Sequence, residues 1–563
     1  MSSLDKVVKF STNPPNLDIP RSTFNRDCSL KLSFNNGELV PIFVDPVNPG
    51  DTFDFRALAL ARTSTPLFPV MDNAYIDMNF FFVPYRLVWD DFQKLMGENT
   101  DTKWVPPTAV QVPHHVMNQP YEVGSLADYM GIPLGISGSN ATHMSLPFRA
   151  YALIWNEWYR DQNMQDPIHI DKGSSDMDNT WNDNIHDNGV LRGHKLKRVA
   201  KFHDYFTSCL PSPQKAAPVN LPLGAYAPVL ARTQLVTNLV NPTTIQIYRD
   251  LNSVNSSYPA VTDGSHSYNI TKYPSDSNLY GRVSPTGVPP STEGAVTPIN
   301  LWTDLTQATA STVNQIRTAF QLQKLFERDA RGGTRYREII KSHFNVDSAD
   351  SRLQRPEYLG GSRTPLNISQ VLQTSSTDSV SPLGSTSAFS LTVTKDASFN
   401  KSFTEHGLII GLINCRTEQT YQQGLERFWS RRNRFDFPFP ALAHIGEQAI
   451  FKKEIYMTGD SAQDEQVFGY QEKDADERYK PNRVSGYMRS TSLQPLDYAH
   501  YGIKFTSAPV LNSAFIEEPT EIMDRTLAVT SAVTHQILAD ISFKNVCSRA
   551  MPLFGIPGLV DHF

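Results

Sequence analysis

Clusters of basic residues are the part of this sequence whose residue types and spacing most directly suggest a chemistry. Residues 192–201 (RGHKLKRVAK) contain no acidic residue, and residues 328–341 (RDARGGTRYREIIK) and 427–434 (RFWSRRNR) are two further clusters. Clustered cations attract phosphates and release their counterions, and aromatic side chains beside arginine can stack on unpaired bases. The candidate DNA-binding residues are Lys195, Lys197, Arg198, Lys201, Arg331, Arg335, Arg431 and Arg432.

The three clusters differ in the acidic residues that lie among the bases. For the first cluster, contact with DNA and a solvated surface remain equally open. For the other two, Glu327, Asp329, Glu338 and Glu426 lie among the arginines. This arrangement favours pairing within the chain or across a subunit interface over contact with DNA.

The sequence contains none of the motifs that mark common catalytic sites. There is no G-x-x-x-x-G-K-[ST], G-x-G-x-x-G, H-E-x-x-H or G-x-S-x-G. The pair His114-His115 has no nearby cysteines or spaced acids, which favours packed or solvated histidines over a metal site. Two carboxylates could still meet in a cleft, as in a glycosidase, but no spacing favours it. We therefore expect no enzyme activity, no metal site and no cofactor.

The bulk composition indicates a large, loop-rich protein. The chain has 563 residues, of which 40% are apolar and only 19% are charged, with 39 prolines. Its net charge is −6, so any contact with nucleic acid must come from local patches. No signal peptide and no apolar window of spanning length is present, so we expect folding in a reducing cytoplasm. The widely spaced cysteines predict thiols, not a disulfide framework: Cys28, Cys209, Cys415 and Cys547.

Alternation of apolar residues predicts a mainly β fold with long loops between the strands. Leu32 and Phe34 alternate before Asn36-Gly37, a dipeptide typical of a type I′ hairpin turn. Pro41 then places the second strand of this hairpin at a sheet edge or at a bulge. Further strands are predicted around Phe389, Leu391 and Val393, around Ile503 and Phe505, and around Ile541 and Phe543. Their wide separation favours a β-sandwich with elaborated connections.

Two helical regions interrupt the strand pattern. Residues 148–162 place a stripe of aromatic residues on one helical face, namely Phe148, Tyr151, Trp155, Trp158 and Tyr159. Residues 311–344 show a second helical pattern, which Gly332-Gly333 should break in two. Aromatic stripes of this kind are more typical of a core-facing helix than of a ligand platform.

Residues 238–300 differ in composition from the rest of the chain. They are rich in Ser, Thr, Asn, Pro, Gly and Tyr, and residues 251–300 hold only five formally charged residues. A loop of this length is usually either functional or disordered, and the scattered apolar residues favour a recognition surface or protrusion over a linker. Tyrosine supplies the contact area that recognition surfaces use. The candidate recognition residues are Tyr248, Tyr258, Tyr268, Tyr273 and Tyr280.

Residues 65–98 (TPLFPVMDNAYIDMNFFFVPYRLVWDDFQKLMGE) carry a strand pattern that runs into Pro84 and then a short aromatic helix. This stretch resembles the major capsid proteins of gokushovirus-type microviruses, which are small icosahedral single-stranded-DNA bacteriophages. Only residues 216–310 lack a clear match. The other matching segments are residues 39–53 (LVPIFVDPVNPGDTF), 149–163, 203–215 (HDYFTSCLPSPQK), 326–361, 435–448 (FDFPFPALAHIGEQ), 479–486 and 556–563 (IPGLVDHF).

The resemblance implies an eight-stranded antiparallel viral jelly roll with long loop insertions and several helices. Residues 1–30 would form an extended N-terminal arm, in keeping with Pro14, Pro15 and Pro20. Residues 31–220 and 306–563 would form the jelly-roll domain. Residues 221–305 would form a surface protrusion, at the threefold axis of the shell.

The same resemblance implies a major capsid protein that self-assembles into a T=1 icosahedral shell around a circular single-stranded DNA genome. Its location would be the virion, assembled in the cytoplasm of the bacterial host. The implied partners are further copies of the chain, an internal scaffolding protein, a small basic DNA-binding peptide, a DNA pilot protein, the genome and a host-cell surface receptor. The insertion tyrosines become candidates for host recognition, and Leu559, Val560 and Phe563 become candidates for assembly. A jelly-roll carbohydrate-binding protein or glycosidase is the alternative.

Overall fold

A computed structural model describes six short strands between residues 229 and 303 together with residues 21–98, 110–179, 192–219, 313–375, 377 and 382–554. The chain divides into two compact units. The first comprises Met1–Lys215 and Glu327–Phe563, and the second comprises Ala216–Phe326.

Strands outnumber helices among the described residues, which confirms the prediction of a mainly β protein. In chain order the strands are β1 (Ser22–Asn25), β2 (Cys28–Phe34), β3 (Val40–Val47), β4 (Thr52–Thr63), β5 (Ala74–Pro84), β6 (His114–Val116), β7 (Thr142–Met144), β8 (Met177–Asp178), β9 (Val229–Ala231), β10 (Ile247–Arg249), β11 (Tyr268–Lys272), β12 (Leu279–Val283), β13 (Val296–Pro298), β14 (Leu301–Thr303), β15 (Glu357–Pro365), β16 (Ile368–Leu372), β17 (Thr386–Ser390), β18 (Thr392–Val393), β19 (Ala397–Ser402), β20 (Gly407–Thr417), β21 (Thr420–Tyr421), β22 (Glu447–Phe451), β23 (Val467–Glu472), β24 (Asn482–Arg483) and β25 (Ile537–Arg549). The α-helices are α1 (Phe92–Leu95), α2 (Leu126–Tyr129), α3 (Leu146–Ile154), α4 (Val313–Gly332), α5 (Tyr336–Phe344), α6 (Lys452–Ile455), α7 (Ser461–Asp464) and α8 (Ser513–Ile516).

A six-stranded antiparallel sheet is built around the long strands β4 and β25. They pair along almost their whole length, from Ile537 opposite Thr63 to Ser548 opposite Thr52. Strands β1 and β2 pair in succession with the free side of β25, and β18 and β19 pair in succession with the free side of β4. Side chains of β4 and β25 alternate between buried and exposed, because one face of the sheet lies on the core and the other is open.

A four-stranded antiparallel sheet, in the order β15-β5-β20-β3, lies across the core from the first sheet. Strand β20 is buried at all but one of its positions. One face of this sheet packs against the six-stranded sheet through residues such as Ile409 and Phe80. The opposite face packs on α3 through residues such as Ile410 and Phe81. Cover on both faces explains why β20 reads as a nearly continuous apolar run.

The predicted hairpin around Asn36-Gly37 is wrong. Strand β2 pairs with β25, and β3 pairs with β20, so the turn connects two sheets. Gly37 nevertheless has a positive φ, 81°, as a type I′ turn requires, and a Cβ there would lie 2.5 Å from the carbonyl oxygen of Glu518. Both predictions for Pro41 are confirmed, because β3 is an edge strand and its pairing with β20 shifts register at this residue. The strand around Ile541 and Phe543 is confirmed as β25.

The strand predicted around Ile503 and Phe505 is replaced by irregular chain with a single bridge from Ile503 to Tyr421. The aromatic helix is confirmed as α3, which continues into a π-helical turn at Trp155–Tyr159. Phe148, Tyr151 and Trp155 are buried, as expected for a core-facing stripe. The predicted break at Gly332-Gly333 is confirmed, since α4 ends there and α5 begins at Tyr336. No described helix has the length and apolar character to cross a membrane.

The second unit contains three two-stranded antiparallel ladders. Strand β9 pairs with β14, β10 pairs with β13, and β11 pairs with β12. The pairings are nested in sequence, so the chain leaves and returns along matched strands. Tyr248, Tyr268 and Tyr280 lie in β10, β11 and β12, whereas Tyr258 and Tyr273 lie outside the described residues.

Candidate nucleic-acid interface

The first basic cluster lies on an extended segment that backbone hydrogen bonds hold on both sides. The amide of Leu39 donates to the carbonyl of Lys197, and the amide of Val199 donates to the carbonyl of Gly37. On the other side, the amide of Glu518 donates to the carbonyl of Val199. This double pairing fixes the backbone, so the side chains of the cluster have defined directions.

The outer side chains of this cluster reach the surface to different degrees. Lys195 is exposed, while Lys197 and Arg198 are partly buried. The Lys197 ammonium lies 5.5 Å from the centroid of the Trp155 ring, a cation–π arrangement. Arg192 forms an ion pair with Asp178 at 2.7 Å, so the charge of the cluster is balanced at one end.

Lys201 is a buried lysine. Lys201 is only 5% exposed. Its ammonium donates to the carbonyl of Phe515 at 2.5 Å and lies 4.5 Å from the centroid of the Phe515 ring. Burial lowers the pKa of the Lys201 ammonium to about 8. The candidate role of Lys201 in DNA binding is therefore corrected, because its ammonium is buried within its own subunit and is not available to a phosphate.

The second cluster pairs with acids of the same chain. Arg331 pairs with Glu447 and lies 3.7 Å from Glu472. Arg335 pairs with Glu338 at 3.1 Å and donates to the carbonyl of Arg160 at 2.8 Å. These contacts show the intrachain pairing that the sequence favours for this cluster.

The third cluster is also held within the chain, although its aromatic residues are open. Arg431 pairs with Asp476 at 2.7 Å and with Glu477 at 2.6 Å. Arg432 is exposed, and Trp429 is 65% exposed. Of the candidate DNA-binding arginines in the second and third clusters, Arg331, Arg335 and Arg431 are thus already neutralised by carboxylates.

A buried glutamate that the sequence pattern does not single out ties these elements together. Glu518 is fully buried, and its carboxylate accepts from the Thr417 amide (2.9 Å), the Thr417 hydroxyl (2.5 Å), the Asn36 side chain (2.9 Å) and the Gln419 side chain (2.9 Å). Burial raises the pKa of the Glu518 carboxyl. The network joins the end of β20 to the turn between the two sheets and to the segment beside the first basic cluster.

His115 is a packed histidine, the alternative that the sequence favours over a metal site. It is 1% exposed, and its ring lies 5.3 Å from the rings of His143 and Phe148, measured between centroids. Neither ring nitrogen has a hydrogen-bond partner among the described residues. Burial, together with nearby cations such as Arg149, lowers the pKa of His115 from 6.5 to about 3.

His115 should make the subunit sensitive to acid. Its folded pKa lies below its unfolded value, so its contribution to stability is present above pH 6.5 and is lost as the pH falls toward 3. The expected loss between neutral pH and about pH 4.5 is roughly 2–3 kcal/mol. In urea unfolding at both pH values, His115→Phe should remove this loss, and His169→Gln at an exposed site should keep it. An acid loss of the same size in His115→Phe would assign the effect to other groups.

The remaining candidates lie outside the described residues. They are the assembly residues Leu559, Val560 and Phe563 at the C-terminal end of the sequence. Their predicted role stays a prediction.

The described residues form two antiparallel sheets with helical connections, and comparison with known proteins gives the class of this chain. Residues 13–559 match the family described as "Capsid protein (F protein)", and the chain belongs to that family. It is a phage capsid protein, and its location is the virion.

The chain is also similar to individual phage proteins over nearly its full length. It is 40% identical to capsid protein VP1 of Bdellovibrio phage phiMH2K, with 98% of this chain and 97% of that protein covered. It is 40% identical to capsid protein VP1 of Spiroplasma virus 4, with 99% of each chain covered. It is 38% identical to capsid protein VP1 of Chlamydia phage 1, with 97% and 96% covered. The predicted resemblance to gokushovirus-type capsid proteins is confirmed.

Proposed function

We propose that this chain assembles into a T=1 icosahedral shell that encloses a circular single-stranded DNA genome. The observation that carries the proposal is the match to capsid proteins along nearly the whole chain, with no large part left over for another activity. The strand arrangement supports it. Since β1 and β2 share one side of β25, and β18 and β19 share one side of β4, the two sheets have eight strand positions. An eight-stranded viral jelly roll has this number.

The shell proposal is tested by imaging the purified full-length chain. Negative-stain micrographs should show regular particles of one size, since capsid assembly multiplies one interface set over all subunits. Soluble monomers that bind or cleave glycans would overturn the proposal in favour of a carbohydrate-binding protein or glycosidase.

We further propose that the insertion, residues 221–305, protrudes from the shell at the threefold axis and recognises a receptor on the host cell. Its nested ladders and its tyrosines support this role. In the same proposal an internal scaffolding protein, a small basic DNA-binding peptide and a DNA pilot protein act with the shell. Leu559, Val560 and Phe563 contact neighbouring subunits.

The first basic cluster, now narrowed to Lys195, Lys197 and Arg198, is proposed to contact genome phosphates. Changing all three residues to Gln should leave the shells intact. It should lower the fraction of particles that contain DNA and make the packaged DNA easier to release with salt. For single-stranded DNA, each lost phosphate contact should reduce the slope of log binding constant against log salt concentration by about 0.7. Losing three contacts should therefore reduce it by roughly 2.

A nuclease-protection assay on purified particles measures DNA content, and a salt titration with a single-stranded oligonucleotide measures the slope. Arg192→Gln is the matched control, because Asp178 already balances the Arg192 charge. An unchanged slope in the triple variant would leave this cluster with a structural role only.

A further inference from the structure

The open face of the six-stranded sheet carries cations that its own carboxylates do not balance. Strands β4 and β25 are buried on one side at every second residue, so their other side forms a continuous exposed surface. We call this surface the open sheet face. Its exposed residues on β4 and β25 are Asp54, Arg56, Leu58, Leu60, Arg62, Leu538, Asp540, Ser542, Lys544 and Val546.

Two cations on the open sheet face stand directly opposite each other. Arg56 on β4 is registered with Lys544 on β25, and its neighbour on β19 is Ser398. Among the ion pairs and hydrogen bonds of the described residues, none involves the side chains of Arg56, Arg62 or Lys544. Like charges placed directly opposite each other on neighbouring strands destabilise a sheet. A bound anion would turn this repulsion into an attraction.

The carboxylates of the same face do not remove that repulsion. The Asp540 carboxylate lies 3.7 Å from the ammonium of Lys31, so it pairs with a cation other than Arg56 and Lys544. Asp54 is registered with Val546 and Asn400, one row away from the opposed cations. The face therefore keeps a local positive charge although the whole chain has a net charge of −6.

Apolar side chains lie immediately beside the opposed cations. Leu58 and Leu60 are 40% and 47% exposed, and Val393, registered with Leu60, is 57% exposed. Ser542, opposite Leu58, leaves room above the sheet. Leu60 is registered with Asp540 on β25, so the apolar strip consists of Leu58, Leu60 and Val393 and lies next to the cationic row. A polymer with an anionic backbone and flat apolar groups beside it is complementary to such a surface.

We propose that the open sheet face binds single-stranded nucleic acid, with a phosphate held between Arg56 and Lys544 and bases lying on Leu58 and Leu60. This inference rests on the proposed function, because a shell meets such a strand where it encloses one. The site is distinct from residues 192–201. An acidic protein segment would also neutralise the cations, but the leucine strip beside them favours a partner that carries bases.

The test uses the full-length chain and a labelled thymidine oligonucleotide, with binding measured by fluorescence anisotropy between about 50 and 200 mM salt. The double variant R56Q/K544Q removes the one phosphate contact of this site and should reduce the salt slope by about 0.7. At about 150 mM salt this corresponds to roughly fourfold weaker binding, if the affinity extrapolated to 1 M salt is unchanged. Thermal stability should not fall, because the variant removes a repulsion. Asp54→Asn should strengthen binding, and Lys31→Gln, whose charge is paired with Asp540, should reduce the slope less.

A second variant separates nucleic acid from an acidic protein. L58S/L60S should weaken oligonucleotide binding with an unchanged salt slope, and should not affect binding of oligoglutamate. An unchanged slope in R56Q/K544Q would overturn the inference. So would oligoglutamate binding that equals oligonucleotide binding and ignores L58S/L60S, which would assign the face to an acidic protein segment.

Particle formation distinguishes this inference from the proposed function. If R56Q/K544Q forms no shells while the unchanged chain does, the open sheet face is a subunit contact and the inference is overturned. If the unchanged chain itself forms no shells, the proposed function fails, and the oligonucleotide titration still decides the binding role of the face.

Discussion

Replacing Glu518 with alanine is expected to cost the subunit about 3–5 kcal/mol of its free energy of unfolding. The change removes the acceptor of the Thr417 amide and hydroxyl, and it opens a cavity. The side-chain amides of Asn36 and Gln419 each lose one of two acceptors and keep the carbonyls of Pro519 and Thr417. Each unsatisfied buried donor costs roughly 1–3 kcal/mol. Since the total stability of a domain is about 5–15 kcal/mol, the variant should be largely insoluble when expressed.

Urea unfolding of the soluble fraction and the yield of soluble chain measure this effect. Glu518→Gln retains the volume and one acceptor oxygen, so its cost should lie between those of the alanine variant and the unchanged chain. Glu521→Ala, at an exposed position three residues away, is the matched control and should cost less than about 0.5 kcal/mol. Equal losses at the two positions would show that the Glu518 network does not hold the two sheets together.

Features that depend on the local chain could be predicted from the sequence. Pro41 has no amide hydrogen, so it fits an edge or a bulge wherever its strand pairs, and the structure shows both. Gly332-Gly333 ends a helix through its own backbone freedom. The aromatic stripe of α3 reflects a period of 3.6 residues, which the sequence displays directly.

Features that depend on distant partners could not be predicted. Asn36-Gly37 reads as a hairpin because two strands flank it, but the partner of β2 is β25, about five hundred residues away. Lys201 is buried by contact with Phe515, far along the chain. A prediction based only on its charge therefore placed Lys201 on a binding surface by mistake. Arg56 and Lys544 become neighbours only through the register of β4 and β25. Charge patterns in a sequence therefore identify candidates, while tertiary pairing decides which of them remain available.

Removal of the insertion is expected to separate host attachment from shell formation. In this variant residues 238–300 are replaced by a short Gly/Ser linker. Strands β9 and β14 lie outside the deleted range and pair with each other, so the two ends remain close. The entropy of closing a loop changes slowly with its length, and the shorter connection should not prevent folding. Particles should therefore still form.

Attachment to host cells should fall by more than about thirtyfold, because even one lost recognition residue of the tyrosine type costs about 2 kcal/mol or more. The rate at which particles adsorb to host cells measures this effect, and electron micrographs confirm that the particles are intact. The triple variant Y248S/Y268S/Y280S should reproduce most of the loss without a deletion. Tyr487→Ser, which changes an exposed tyrosine of the other unit, is the control and should adsorb normally. Insoluble subunits after the deletion would place the segment in the folding core, and full adsorption by intact deleted particles would move host recognition to another surface.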